Sequence, residues 1–128
     1  MKISELSGPS LDAWVTRALG YKDWREIPDE MRGYWYCGGW DGGTNTWNPS
    51  ADWAQGGPII ERERIELLYY GQDGINLAGN PWEAQIGCDT HYIDQGPGDA
   101  IGGSTPLIAA MRAFVRAKIG EEVPDSAD

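Results

Sequence analysis

Phenylalanine and histidine each occur once in the 128 residues, cysteine occurs twice, and Lys plus Arg number only ten against twenty Asp plus Glu. Each scarcity excludes something. A formal charge of -10 leaves no broad basic footprint, so DNA and RNA are not expected partners, because backbone binding needs clustered Lys and Arg. No apolar run approaches the roughly 18 residues of a membrane span, and "MKISELSGPS" lacks the apolar centre of a signal peptide; the expectation is an intracellular protein without a membrane partner. Cys37 and Cys88 fit free thiols in a reducing compartment and also fit a single bridge.

What is present in excess is the amphipathic aromatic. Seven Trp and six Tyr stand against the one Phe. Both types combine a flat apolar body with a polar handle, so they serve pocket walls as well as cores. Four of the Trp and six Gly fall within the 24 residues "YWYCGGWDGGTNTWNPSADWAQGG", a density that predicts irregular backbone lined by rings.

Periodicity predicts an α+β fold: a small antiparallel sheet packed by an N-terminal and a C-terminal helix, with the Trp- and Gly-rich loops at one end. In "SLDAWVTRALG", Leu11, Trp14, Val15, Ala18 and Leu19 recur at helical spacing, which predicts a helix over 8–19 with Ser7 or Ser10 as N-cap and Gly20 as the stop. "YKDWREIPDEMRG" is polar around Pro28 and predicts a loop or a short turn of helix. "IELLYY" and "WEAQIGC" read as two strands pairing antiparallel, and "YWYC" as a further strand. "GGSTPLIAAMRAFVRAKIG" predicts a helix capped by Thr105, opened by Pro106 and stopped by Gly120, with Ile108, Met111, Val115 and Ile119 toward the sheet. One domain over 1–120 is expected, followed by a frayed acidic tail at 121–128.

Two stretches suggest a ligand. In "NPSADWAQGGPIIERE", Trp53 offers a stacking face, Gln55 a donor and an acceptor, and Gly56-Gly57 backbone amides ahead of Pro58; Trp47 and Trp82 are further ring walls. Arg62 suits a phosphate as a fork of donors and equally suits an ion pair with Glu61 or Glu66. Glu61 and Glu63, read as i and i+2 of a strand, share a face but lack the neighbour that would separate their roles as acid and base. In "GPGDAIGGSTP", Gly103, Ser104 and Thr105 lead into a helix N-terminus, a natural anion site and equally an ordinary cap; Arg112 lies two turns inside. "CDTHYID" holds Cys88, Asp89, His91 and Asp94, only half of a zinc or nucleophile–base set.

The segments "ISELSGPSLDAWVTRALG", "NPSADWAQGGPIIERE" and "TPLIAAMRAFVRAKIGEEV", in that order, resemble the NinX-like family of small bacteriophage proteins. The match is most specific at Asp52–Glu61 and Thr105–Arg112; the Trp- and Gly-rich insert before Asn48 and "CDTHYIDQGPGDAIGG" depart from it. The resemblance implies a phage accessory protein made in the host bacterial cytoplasm, dispensable for the virion, and it transfers no catalytic residue.

Residues and resemblance together lead to an expected function. The protein is expected not to be an enzyme, to need no cofactor or metal, and to form a homo-oligomer that sequesters a small anionic nucleotide-like molecule, such as a signal of host antiphage defence. Expected ligand contacts are Trp47, Trp53, Gln55, Gly56, Gly57, Arg62, Trp82, Gly103, Ser104, Thr105 and Arg112. A protein-interaction module that inhibits a host protein is the alternative, since aromatic anchors also serve interfaces. A metal or hydrolytic enzyme using His91 and nearby carboxylates is the third.

Overall fold

The computed structural model describes residues 1–28, 31, 47–70, 80–86 and 100–124. Among these, three helices, α1 (Gly8–Ala18), α2 (Trp53–Glu63) and α3 (Pro106–Ile119), accompany three strands, β1 (Ile65–Tyr69), β2 (Trp82–Ile86) and β3 (Ile101–Gly103). The fold is α+β, as the periodicity predicts. The expected "YWYC" strand, most of the Trp- and Gly-rich stretch and the "CDTHYID" cluster, with Cys37, Cys88 and His91, lie outside the described residues.

α3 is the centre of the molecule. Thr105 caps it by accepting the Ile108 amide at 3.1 Å, Pro106 opens it, and Gly120 follows its last turn. It lies across all three strands and packs against α1 and α2. The only Phe, Phe114, is fully buried on it, beside Met111 and Val115. The strands run in the order β1-β2-β3, each pair antiparallel, with Ile65 opposite Ile86 and Tyr69 opposite Trp82 in the first pair. β3 was not expected from the sequence; three residues, two of them Gly, carry too little strand pattern to stand out.

α1 ends where the sequence indicates, with Gly20 at φ +100. A 3-10 turn, Trp24–Glu26, follows and is capped by Asp23, whose carboxylate accepts the Arg25 amide at 2.8 Å.

The expected loop-and-strand reading of "DWAQGGPIIERE" is overturned, because the segment is the helix α2. Two glycines and an internal proline argue against helix by roughly 5 kcal/mol relative to alanine. Local and tertiary contacts outweigh that. Asp52 caps the helix through the Ala54 amide at 2.9 Å, Gln55 accepts the Asn48 amide at 2.6 Å, and Ile59 is buried. Arg64 stops the helix in the left-handed region at φ 56. Glu61 and Glu63 consequently lie about 200° apart around a helix and do not share a face.

Residues 121–124, the described part of the expected tail, are tied to the N-terminus. The Met1 amino group donates to the Val123 carbonyl at 2.7 Å, the Val123 amide to the Met1 carbonyl at 2.9 Å, and the Ile3 amide to the Glu121 carbonyl at 3.1 Å. Val123, buried in the core, supplies the apolar area that holds this pairing in place.

Candidate functional site

A groove of about 400 Å³ runs between α1 and the 3-10 turn that follows it, within the size range of small-molecule sites. α1 contributes Pro9, Asp12, Ala13 and Thr16, one face at helical spacing, and Arg17 at its edge. The turn contributes Lys22, Asp23, Trp24 and Arg25, and Trp47 closes the wall. Three of the ten basic residues of an acidic chain thus meet here.

The lining carries three cations against two carboxylates. Trp47 is 7% exposed, and its indole N–H has no hydrogen-bond partner among the described residues. The Lys22 side chain has no ion pair among them, although its amide donates to Glu26 Oε1 at 2.7 Å. Arg17 is held by donation from Nε to the Lys22 carbonyl at 3.2 Å, with its guanidinium 6.0 Å from the Trp14 ring centre. Arg25 lies 5.7 Å from the ring centre of Trp24, which is 49% exposed and so retains open aromatic surface. Both carboxylates are engaged: Asp23 takes the Arg25 amide and stands 3.7 Å from Arg25 Nε, and Asp12 Oδ1 takes the Ser50 amide at 2.9 Å. Burial pushes the Asp12 carboxyl above its ordinary value, and the hydrogen bonds from Ser50 oppose that shift. Such a surface favours an anion with a flat ring.

Of the residues singled out in the sequence, only Trp47 lines this groove. Gln55 and Gly56 are buried: a Cβ on Gly56 would stand 2.5 Å from the Pro49 carbonyl oxygen and 2.6 Å from Leu107 Cδ2, so its bareness serves packing. Gly103 is the same case, since a Cβ there would stand 2.5 Å from the Ala109 nitrogen in α3. Gly57 has open space around it, and Trp53 is 53% exposed.

The topology gathers some of these at one end. Trp82 pairs with Gly103, Ser104 and Thr105 follow directly into α3, and Gly56 in the first turns of α2 meets Leu107. Trp53, Trp82, Gly103, Ser104 and Thr105 therefore share that end, where the Trp82 ring lies 4.7 Å from that of Tyr69. Arg62 does not join them. It lies nine residues, about 13 Å, along α2 from Trp53, in an ion pair with Glu63 at 2.9 Å. Glu63 also receives Lys118 at 3.4 Å, at the far end of α3.

Arg112 is a strut. Its Nε donates to the Leu6 carbonyl at 2.8 Å and its Nη1 to the Gly102 carbonyl at 2.7 Å, and burial pulls its pKa below the ordinary value. The α3 N-terminus is weak as an anion site, because Pro106 has no N–H and Thr105 already occupies the Ile108 amide.

The residues that sequence reasoning missed are Asp12, Arg17, Lys22, Trp24 and Arg25. One signal was available: "RALGYKDWR" places three cations around an aromatic in a stretch with no carboxylate but Asp23. Among the described residues no three His, Cys, Asp or Glu side chains form a metal-holding group, and no helix is long and apolar enough to cross a membrane.

No curated protein matches the chain. A family profile described as Bacteriophage P22, NinX matches residues 2–118, a span that contains the groove and all the helices and strands described above but for Ile119, the last residue of α3. The chain belongs to the NinX family of bacteriophage proteins.

Proposed function

We propose that this phage protein binds and holds, without turnover, a small anionic ring-bearing molecule of the nucleotide type, and that the groove between α1 and the Trp24 turn is where it does so. The observation that carries this reading is the convergence of Arg17, Lys22, Arg25, Trp24 and Trp47 on one 400 Å³ groove of a chain with net charge -10. Long-range repulsion by the acidic surface is screened within about 8 Å at physiological salt, so local donors decide whether an anion stays. In an infected cell, retention of a nucleotide-derived defence signal in the host cytoplasm would use this chemistry.

The test is titration calorimetry of the full chain with AMP, GMP and cyclic dinucleotides, repeated on Trp24→Ala and on Arg17→Gln/Lys22→Gln. Binding by the parent is expected, with a loss of about 1–3 kcal/mol on removing the stacking ring. The partly exposed Trp24 can be removed without opening the core. Nucleotide recovered after denaturation is expected unchanged; a cleaved product would indicate an enzyme. Absence of binding across the series would refute the reading.

A further inference from the structure

Two groove residues have the wrong sign for an anion site, and of these Asp23 is paired with Arg25 while Asp12 is not paired with a cation among the described residues. Asp12 is 7% exposed, lines the groove with Arg17, Lys22 and Arg25, and takes part in no ion pair among the described residues. A buried carboxylate without a cationic partner is costly and would repel a ligand that is only anionic. One turn further along α1, the buried Thr16 hydroxyl donates to the Asp12 carbonyl at 3.0 Å, so the Asp12 carboxylate is the acceptor on this wall. The groove thus has an acceptor region on α1 and a donor region at Arg17 and the following turn. Asp12 and Arg17 are five residues apart, about 7.5 Å along the helix axis, a spacing comparable to the reach from a nucleotide's phosphate to its base.

We propose that Asp12 selects ligands whose ring carries an N–H donor, so that the groove takes an amino-bearing heterocyclic phosphate in preference to a purely anionic aromatic one. This rests on the reading of the groove as the ligand site. The phosphate lies toward Arg17 and Lys22, the ring lies along Trp24 or Trp47, and an exocyclic amino or ring N–H donates to Asp12. Specificity arises on both sides: the correct ring adds a donor to a buried carboxylate otherwise served by Ser50, and a ring without donors leaves that carboxylate beside a second negative group.

The experiment compares AMP and GMP with phenyl phosphate, which has the ring and the anion but no N–H donor, on the parent and on Asp12→Asn. Asparagine keeps a carbonyl oxygen for the Ser50 amide and removes the charge. The nucleotides are expected to bind the parent at least about tenfold more tightly than phenyl phosphate, and Asp12→Asn is expected to narrow the gap to about twofold, chiefly by improved binding of phenyl phosphate. If the variant does not fold, the three ligands on the parent still decide. Equal affinity of phenyl phosphate and the nucleotides for the parent would overturn the role of Asp12 and leave the groove as the ligand site. No binding of any of the three would remove both.

Discussion

Gly56 and Gly57 are neighbours in one helix, yet alanine should affect them differently. An alanine Cβ at Gly56 would stand 2.5 Å from the Pro49 carbonyl oxygen and 2.6 Å from Leu107 Cδ2. Neither neighbour can yield easily. The Pro49 segment is held by the Gln55–Asn48 bond and by the Ala51 and Asp52 amides on the Asn48 carbonyl, and Leu107 is buried at 3% exposure. Restoring ordinary contact requires α2 to move by roughly 1 Å in a close-packed region, an over-packing cost of about 1–3 kcal/mol, of which about 1 kcal/mol is returned by the better helix propensity of alanine. With backbone as one of the obstacles the upper end applies, and Gly56→Ala should lose about 2 kcal/mol. At Gly57 a Cβ meets nothing within 4 Å. There the propensity gain is opposed by Pro58, which disfavours helical backbone in a preceding residue that has a Cβ, so Gly57→Ala should stay within about 0.5 kcal/mol of the parent. Urea unfolding followed by Trp fluorescence measures the difference, expected as a midpoint about 1 M lower for Gly56→Ala. A parent-like midpoint for Gly56→Ala would refute the packing argument and return Gly56 to the ligand-contacting role that the sequence suggested.

Arg64 ends α2 at φ 56, a conformation that costs a residue with a Cβ about 1 kcal/mol, so Arg64→Gly should raise stability by about 0.5–1 kcal/mol in the same urea assay. Arg112→Met removes the donors to the Leu6 and Gly102 carbonyls and leaves two partly buried acceptors, with an expected loss of about 2–3 kcal/mol by thermal or urea unfolding. Asp12 gives a pH signature. Its folded pKa is raised above 3.8, so between that value and the folded pKa the native state binds more protons than the unfolded chain. Its favourable contribution is therefore full below 3.8 and is lost as pH rises through the folded pKa. Stability of the parent relative to Asp12→Asn, measured by urea unfolding from pH 3 to pH 7, should fall with rising pH; a rise would contradict the burial argument.

α1, α3 and the β1–β2 pair were legible in the sequence because their signals are local. Leu11, Trp14 and Val15 at helical spacing, the Thr105-Pro106 start of α3 and the apolar runs at Ile65 and Trp82 each state a backbone conformation within a few residues, and burial reinforces it. The order of the segments around Asp52–Glu61 and Thr105–Arg112 carried the family as well. Only the tertiary structure decided what "DWAQGGPIIERE" became. Gly56 and Pro58 speak against a helix until Pro49, Asn48 and Leu107, from other parts of the chain, surround it, and the contacts that resolve Gln55 and Gly56 are made there. The same limit applied to the groove. Trp47 is thirty residues beyond Arg17 and 22 beyond Arg25, and Asp12 meets Ser50 across 38 residues, so the separation along the chain concealed a groove that folding assembles. Arg62 and Arg112 show the converse: both look like phosphate ligands in the sequence, and their chemistry is engaged by Glu63 and by the carbonyls of Leu6 and Gly102, because a charged side chain takes the partners that packing brings within its reach.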